Sequence, residues 1–316
     1  MKKISVVVPT FNERENAENM AAAIENEIFN LPTKYDYEII FIDNYSDDGT
    51  REILSQLCEN NKKIKAILNA SNFGQNRSPY YGLLQTTGDC AILMAADFQD
   101  PPEMISKFIC EWENGHNIII GVKSNSRENA IMRSVRTLYY KISKKISQVD
   151  LIEHFTGFGL YDKNFIGILR KIEDPMPYLR GIVAEFGSKI KRIDFVQPER
   201  KAGKTKNNWY TLYDIGMLGI TSYSKVILRL ATVLGFIFSA ASFIIALVYL
   251  ILKLIFWDTF PAGTAPILIG LFLFGSILMF FIGFLGEYIL NINTRVMKRP
   301  LVVEEKRINF KKDEHP

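Results

Sequence analysis

The chain has 316 residues, 48% hydrophobic and 23% charged, with a formal net charge of +4. That length accommodates one or two domains around a sizeable core, and so slight a positive balance does not single out nucleic acid as a partner. The three cysteines, Cys58, Cys90 and Cys110, are scattered with no C-x-x-C pair. They support neither a zinc ribbon nor a disulfide framework and read as reduced thiols in a cytoplasmic domain.

The opening "MKKISVVVPTFNE" has an apolar run, Ile4 to Val8, too short for a signal-peptide core, and Pro9, Asn12 and Glu13 follow at once. It reads as a first β-strand that stays in the cytoplasm. Further strand-like runs are "YEIIFID" (37–43), "IKAILN" (64–69), "CAILMAAD" (90–97) and "NIIIGV" (117–122), each short, rich in Ile and bounded by turn residues. Residues 15–29, 50–60 and 77–85 read as helices between them. This alternation predicts an α/β domain with a mainly parallel sheet covered on both faces. Such sheets bind ligands at the carboxyl ends of their strands, where Asp43 and Asp97 fall. The absence of G-x-G-x-x-G disfavours a dinucleotide fold, and no repeat or low-complexity tract stands out.

From Lys123 to Lys145 the chain turns basic, with Lys123, Arg127, Arg133, Arg136, Lys141, Lys144 and Lys145 against Glu128 alone. A second basic stretch, 189–206, sets seven cations against Asp194 and Glu199. Solvated surface accounts for most single cations. In a chain held at a membrane, such clusters also attract anionic headgroups by about 1 kcal/mol per charge, or hold the phosphate of a lipid substrate. Residues 207–228 mix aromatic and apolar side chains at helical spacing and read as an interfacial amphipathic helix, with a buried core helix as the alternative.

Leu230 to Leu252 is 23 residues without charge, and Thr259 to Gly286 is another 28. Each is long enough to cross roughly 30 Å of hydrocarbon at about 1.5 Å per residue. Two transmembrane helices are expected, at about 229–254 and 263–288. Lys225 and Arg229 precede them, Arg295, Lys298 and Arg299 follow, and the connecting loop holds Asp258 with only Lys253 at its edge. Both termini are therefore expected in the cytoplasm, on the inner face of the plasma membrane. The expected organisation is a cytoplasmic domain (1–206), the interfacial helix, a transmembrane hairpin within 229–290 and a cytoplasmic basic tail (291–316).

Three local patterns then coincide. "VVVPTFNE" ends the first strand, "IIFIDNYSDDGT" ends the second and turns into a helix, and "ILMAADFQDPP" ends a later one. With "NFGQNRSPYYGL" (72–83), "TTGD" (86–89) and "GEYILNINTRVMKRP" after the second span, they resemble the inverting glycosyltransferases of family two with the GT-A fold. The resemblance covers about the first 200 residues. The appended hairpin narrows it to polyprenyl-phosphate glycosyltransferases, such as dolichyl-phosphate mannose synthases and, closer in layout, bactoprenol glucosyltransferases.

This resemblance implies a nucleotide-sugar donor, a Mg2+ or Mn2+ ion and a polyprenyl phosphate acceptor. Pro9 and Phe11 would lie against the uracil with Glu13 nearby. Asp43 would accept hydrogen bonds from the base or ribose. Asp97 would hold the metal that bridges the donor's phosphates and stabilises the leaving diphosphate. Gln99 and Asp100 would complete that motif, with a helix cap before Pro101 and Pro102 as the alternative for Asp100. Asp162, in "GFGLYDKNF", matches the carboxylate that the family places near the acceptor. A phosphate acceptor is already ionised at pH 7, so this residue would orient more than deprotonate; a helix cap is its alternative. Arg127, Arg133 and Arg136 are candidates for the acceptor phosphate. Arg200 and Lys204, in the basic loop "PERKAGKTKNNWY", would close over the diphosphate, with Gly203 giving the loop backbone freedom. His116, His154 and His315 show no ligand spacing.

The expected activity is inverting transfer of one sugar, glucose by default, from a UDP-sugar to undecaprenyl phosphate for surface polysaccharide modification. A polysaccharide synthase would carry Q-x-x-R-W and more spans. A non-catalytic, membrane-tethered binding subunit draws its support from Ala95, which occupies the first position of D-x-D. Asp97 keeps the second, so the metal site is expected to be complete only with nucleotide bound. Oligomeric state is not specified, and a homo-oligomer packed through the two spans stays open.

Overall fold

The computed structural model describes residues 1–125, 149, 152–198, 217–219, 221–224, 226–255 and 264–310. Its strands are β1 (Lys3–Thr10), β2 (Asp36–Asp43), β3 (Ile64–Asn69), β4 (Cys90–Leu93), β5 (Ile118–Asn125), β6 (Phe155–Asp162), β7 (Ile190–Val196) and β8 (Glu304–Ile308). They form one sheet in the order β7-β5-β6-β4-β1-β2-β3-β8. The centre, β4-β1-β2-β3, is parallel, with Thr10 opposite Asp43 and Val7 opposite Leu93. The strand β6 runs antiparallel to both β4 and β5, and β8 runs antiparallel to β3. The sheet is therefore mixed, with a parallel core.

The apolar runs form central strands because both of their faces are covered. Alternate residues enter two separate cores. Ile4, Val6, Val8, Ile39, Phe41 and Ile92 pack beneath α1 (Ala17–Phe29), α2 (Thr50–Asn60) and α4 (Met104–Glu113). Val7, Ile40, Ile42, Ile67 and Leu93 pack beneath α3 (Gly74–Leu84), α5 (Lys163–Lys171) and α6 (Leu179–Phe186). The helix α3 lies so close to the sheet that a Cβ on Gly82 would stand 2.7 Å from Val7 Cγ1, so Gly82 is the contact that lets this helix cross β1 and β2.

Two long helices follow, α7 (Val226–Ile255) and α8 (Thr264–Val296). They expose large apolar side chains, among them Phe236, Phe243, Leu271 and Met279. Among the described residues, Ile277–Val296 is a helical stretch long and apolar enough to cross a membrane. The end of α8 meets the segment before α7: Tyr288 Oη donates to the Ser224 carbonyl at 2.6 Å, and Asn291 Nδ2 to Thr221 Oγ1 at 2.6 Å. Arg295 ties this foot to the α/β domain through Asp174, 3.1 Å away. Of the expected interfacial helix, residues 207–216, 220 and 225 lie outside the described residues, and 217–219 and 221–223 are helical.

The segment expected as a basic tail is corrected here: part of it is a strand of the sheet. Beyond α8 the chain returns to β3, where β8 pairs from Ala66–Ile308 to Asn69–Glu304. Asn309 then donates to the carbonyls of Cys58 (2.6 Å) and Ile64 (2.8 Å). The α/β domain is thus built from both sides of the two long helices in sequence.

Candidate active site

Because β4, β1 and β2 are parallel neighbours, their carboxyl ends open on one edge of the sheet. The loops after them carry Phe11 to Glu13, Asn44 to Gly49 and Met94 to Asp100. Several residues on this edge take left-handed backbone angles: Asn12 (φ 56°), Tyr45 (72°), Phe98 (62°) and His154 (58°). Such conformations cost free energy outside glycine and persist where surrounding bonds impose them.

Those bonds are visible. Asn12 and Asp47 exchange two hydrogen bonds, Nδ2 to Oδ1 at 2.8 Å and the Asp47 N–H to Asn12 Oδ1 at 3.0 Å. The Asn12 N–H donates to Ser46 Oγ at 2.8 Å, the Arg14 N–H to Asp48 Oδ2 at 3.2 Å, and the Glu13 N–H to Thr50 Oγ1 at 3.0 Å. Asn44 adds a third loop: its Oδ1 accepts from the Phe73 N–H at 2.8 Å, and its Nδ2 donates to Asn72 Oδ1 at 2.8 Å. The first two loops are zipped into one frame with Asn44 at its hub. Sequence reading passed over Asn44 and Asp48. The signal for Asp48 was the D-G-T turn, in which it accepts from the Thr50 N–H at 3.0 Å.

Within this frame, Pro9 and Phe11 are half-buried at the end of β1, where they can form one wall of a base pocket. Glu13 is buried, with Oε2 accepting from Asn16 Nδ2 at 2.7 Å. Asp43 differs from expectation. It is fully buried, and its carboxylate is engaged by the N–H (3.0 Å) and hydroxyl of Ser46. Arg51 Nε lies 3.3 Å from Asp43 Oδ2, an ion pair without hydrogen-bond geometry. Burial raises the Asp43 pKa, opposed by the Ser46 bonds and the Arg51 charge. Asp43 therefore sets the shape of the loop in this structure and presents no surface to a ligand.

The Met94–Asp100 loop closes on itself. The Gln99 N–H donates to Asp97 Oδ1 at 3.1 Å, and the Ala95 N–H to Asp100 Oδ2 at 3.0 Å. Asp100 is thus not a helix cap: it folds back beneath the position where a first D-x-D carboxylate would stand. Burial pushes its pKa up to about 6, the Ala95 N–H and Lys123 charge oppose this, and nearby Asp97 adds to it. Asp97 and Asp100 are hard oxygen donors of the kind Mg2+ and Mn2+ take. Their charges oppose one another, and Asp100 Oδ1 meets no hydrogen-bond donor among the described residues. Asp97 and Asp100 are the acids of this loop that would hold a divalent cation. No third His, Cys, Asp or Glu joins them among the described residues, so phosphate oxygens and water would fill the remaining positions.

Asp162 is not on this edge. In the antiparallel pair it stands opposite Cys90, the first residue of β4, whereas Asp97 lies beyond the last. Its carboxylate caps α5, accepting from the Asn164 N–H at 2.7 Å. The start of β6 faces the active edge instead: a Cβ on Gly157 would touch Leu93 and Leu179, each at 3.7 Å. Arg127, Arg133, Arg136, Arg200 and Lys204 lie outside the described residues.

Comparison with known proteins bears on the whole chain. Residues 5–170 match the model of glycosyl transferase family 2. A prophage bactoprenol glucosyl transferase homolog of Escherichia coli (strain K12) is 31% identical over 299 residues, covering 94% of this chain and 97% of that protein. The bactoprenol glucosyl transferase of Shigella phage SfX is 29% identical over 299 residues, covering 94% of this chain and 97% of its own. Among solved structures, glucosyl-3-phosphoglycerate synthase from Mycobacterium tuberculosis in complex with Mn2+, UDP and glucosyl-3-phosphoglycerate is similar at 14% identity. That match covers 70% of this chain and 78% of the synthase, with a TM-score of 0.46.

Proposed function

The chain belongs to glycosyl transferase family 2, and we propose that it transfers a single glucose, with inversion, from UDP-glucose to bactoprenyl phosphate at the cytoplasmic face of the membrane. The observation that carries this reading is the convergence of two features on one edge of the sheet. The strand ends bring the Phe11 wall and the Asp97–Asp100 pair together there. The end of α8 reaches the same edge, where Arg77 in the first turns of α3 donates to the Pro300 carbonyl at 2.5 Å. A water-soluble donor and a membrane-bound acceptor can meet only where those two conditions coincide. The relatives' names, which specify a bactoprenol glucosyl transferase, support the acceptor and the sugar.

In this reading the base stacks on Phe11 and Pro9 within the frame held by Asn12, Asn44 and Ser46. Asp97 and Asp100 hold a Mg2+ or Mn2+ ion. The ion, when bound, offsets the charge that develops on the departing diphosphate. The acceptor phosphate attacks the anomeric carbon from the face opposite the diphosphate, and its own ionisation at pH 7 removes the need for a strong protein base. The exposed apolar side chains of α7 and α8 suit two membrane crossings, with both ends of the pair on the cytoplasmic side. Arg127, Arg133, Arg136, Arg200 and Lys204 remain candidates for phosphate contacts at the acceptor and the diphosphate.

The test is transfer of radiolabel from UDP-glucose, and from a panel of other nucleotide sugars, to a short polyprenyl phosphate by the purified full chain. The assay is repeated after chelation and with Mg2+ or Mn2+ restored. Label should enter the organic phase only when metal is present. Absence of transfer from every nucleotide sugar would overturn the function, and metal-independent transfer would overturn the role of Asp97 and Asp100.

A further inference from the structure

Arg51, in the first turn of α2, reaches four parts of the fold from one guanidinium. Its Nε stands 3.3 Å from the buried Asp43 carboxylate at the end of β2. Its Nη2 donates to the Asn69 carbonyl at the end of β3 and to Glu305 Oε2 on β8, each at 2.9 Å. Its Cζ lies 5.6 Å from the centre of the Tyr45 ring, a cation over an aromatic face. A cation in the first turn opposes the helix dipole, so α2 itself gains nothing from this residue. What Arg51 contributes lies in its partners.

Two hydrogen-bonded routes lead from those partners into the loop frame. In the first, Asp43 accepts from the N–H and hydroxyl of Ser46, and Ser46 Oγ accepts from the Asn12 N–H at 2.8 Å. In the second, Asn69 is fully buried, and its Nδ2 donates to Asn44 Oδ1 at 3.4 Å. The Asn44 N–H then donates to the Thr10 carbonyl at 2.9 Å. The first route ends on Asn12 and the second on Thr10, the two neighbours of Phe11. Arg51 also supplies the counter-charge of Asp43. A buried carboxylate stripped of its cation takes up a proton or moves toward water, and either change releases Ser46 from its present orientation.

We propose that Arg51 is a positioning residue for the donor: through Asp43 and Asn69 it fixes the Phe11 wall on which the nucleotide base stacks, with Glu305 of β8 holding the guanidinium in place. The proposal rests on the nucleotide-sugar reading above and adds a residue that does not itself touch the donor. The Met94–Asp100 loop lies outside both routes, since it closes through its own bonds from the Gln99 and Ala95 N–H groups. Arg51 therefore governs the hold on the base and not the hold on the diphosphate.

The experiment uses the full chain in nanodiscs and measures binding of UDP and of inorganic diphosphate, each with Mg2+, by calorimetry. Arg51→Gln should bind UDP on the order of tenfold more weakly, with diphosphate affinity unchanged, because diphosphate carries no base. Arg51→Lys keeps a charge beside Asp43 but loses the planar fork, so its loss should be about threefold. Glu305→Lys, at a partly exposed side chain, should weaken UDP by about twofold. In turnover the change should fall on the KM for UDP-glucose, with kcat lowered by less than about twofold. A purely structural Arg51 would change the melting temperature and weaken UDP and diphosphate alike, or weaken neither; both results overturn the proposal. Should Arg51→Gln fail to fold, unchanged UDP affinity in both Arg51→Lys and Glu305→Lys overturns it. A wild type that binds UDP without transferring sugar overturns the reaction and leaves this role standing. A wild type that binds diphosphate but not UDP overturns the donor and this role together.

Discussion

The two edges of the sheet treat charge in opposite ways. At the amino ends of the strands, buried Glu38 is surrounded by donors: Lys3 Nζ at 2.9 Å, Lys65 Nζ at 2.9 Å, Ser5 Oγ at 2.6 Å and the Thr87 N–H at 2.7 Å. Asp89 and Lys163 pair beside them at 2.9 Å, and Asp162 caps its helix. At the carboxyl ends, Asp97 stands near Asp100, and Arg77 near Arg299, each pair alike in sign. The first edge spends its charges on stability. The second also pairs Asp43 with Arg51, but it leaves the like charges of Asp97 and Asp100 together, which the metal proposed above would offset. Charged residues at strand ends are therefore read better by what surrounds them than by their type.

Four substitutions test this contrast, beginning with the largest effect. Asp97→Asn should lower kcat by about 1,000-fold with little change in melting temperature, because it removes stabilisation of the departing diphosphate; retained turnover would break the contrast. Glu38→Gln should do the reverse. Burial alone would raise the Glu38 pKa, but the bonds from Ser5, Lys3, Thr87 and Lys65 outweigh it and hold it at about 2. A carboxylate held below its ordinary 4.5 contributes in full above pH 4.5, and the contribution is lost as pH falls toward 2. Chemical denaturation at pH 7 should therefore show a loss on the order of 3 kcal/mol for the variant, and its stability should depend less on pH between 4.5 and 2 than that of wild type.

Asp162→Ala should cost about 1 kcal/mol of stability, as expected for a lost helix cap, with kcat and acceptor KM unchanged. A large fall in kcat would return this residue to the active edge. Glu305→Ala should have the smallest effect, about 0.5 kcal/mol, since the Arg51 pair at 2.9 Å lies partly in solvent. Its value lies in KM: any rise for the UDP-sugar reports that Arg51 transmits β8 to Asp43.

Much of the parallel core was legible because β1, β2 and β3 are apolar on both faces. The carboxyl ends of such strands mark the site without knowledge of their neighbours. The strands β6, β7 and β8 were not legible. "FTGFGLYD" carries two glycines, "IKRIDFV" interleaves cations, and "EEKRI" shows no apolar periodicity at all. Partners distant in sequence stabilise these strands, as Lys306 facing Leu68 illustrates. The same limit misplaced Asp162. A carboxylate before "KNF" satisfies a family pattern and a helix cap equally well, and only the antiparallel direction of β6 separates them. Asp43 was found by position, but its burial against Ser46 and Arg51 depends on packing that no local window contains.

The pairing of β8 with β3 also orders events during synthesis. Arg51 bonds to Glu305 across 254 positions of chain, so the edge of β3 stays unpaired until α7 and α8 have both left the ribosome. An open strand edge is a surface on which chains aggregate, and domains otherwise begin folding from the amino terminus as they emerge. A chain stopped before β8 would therefore leave that edge of β3 without the strand that pairs it.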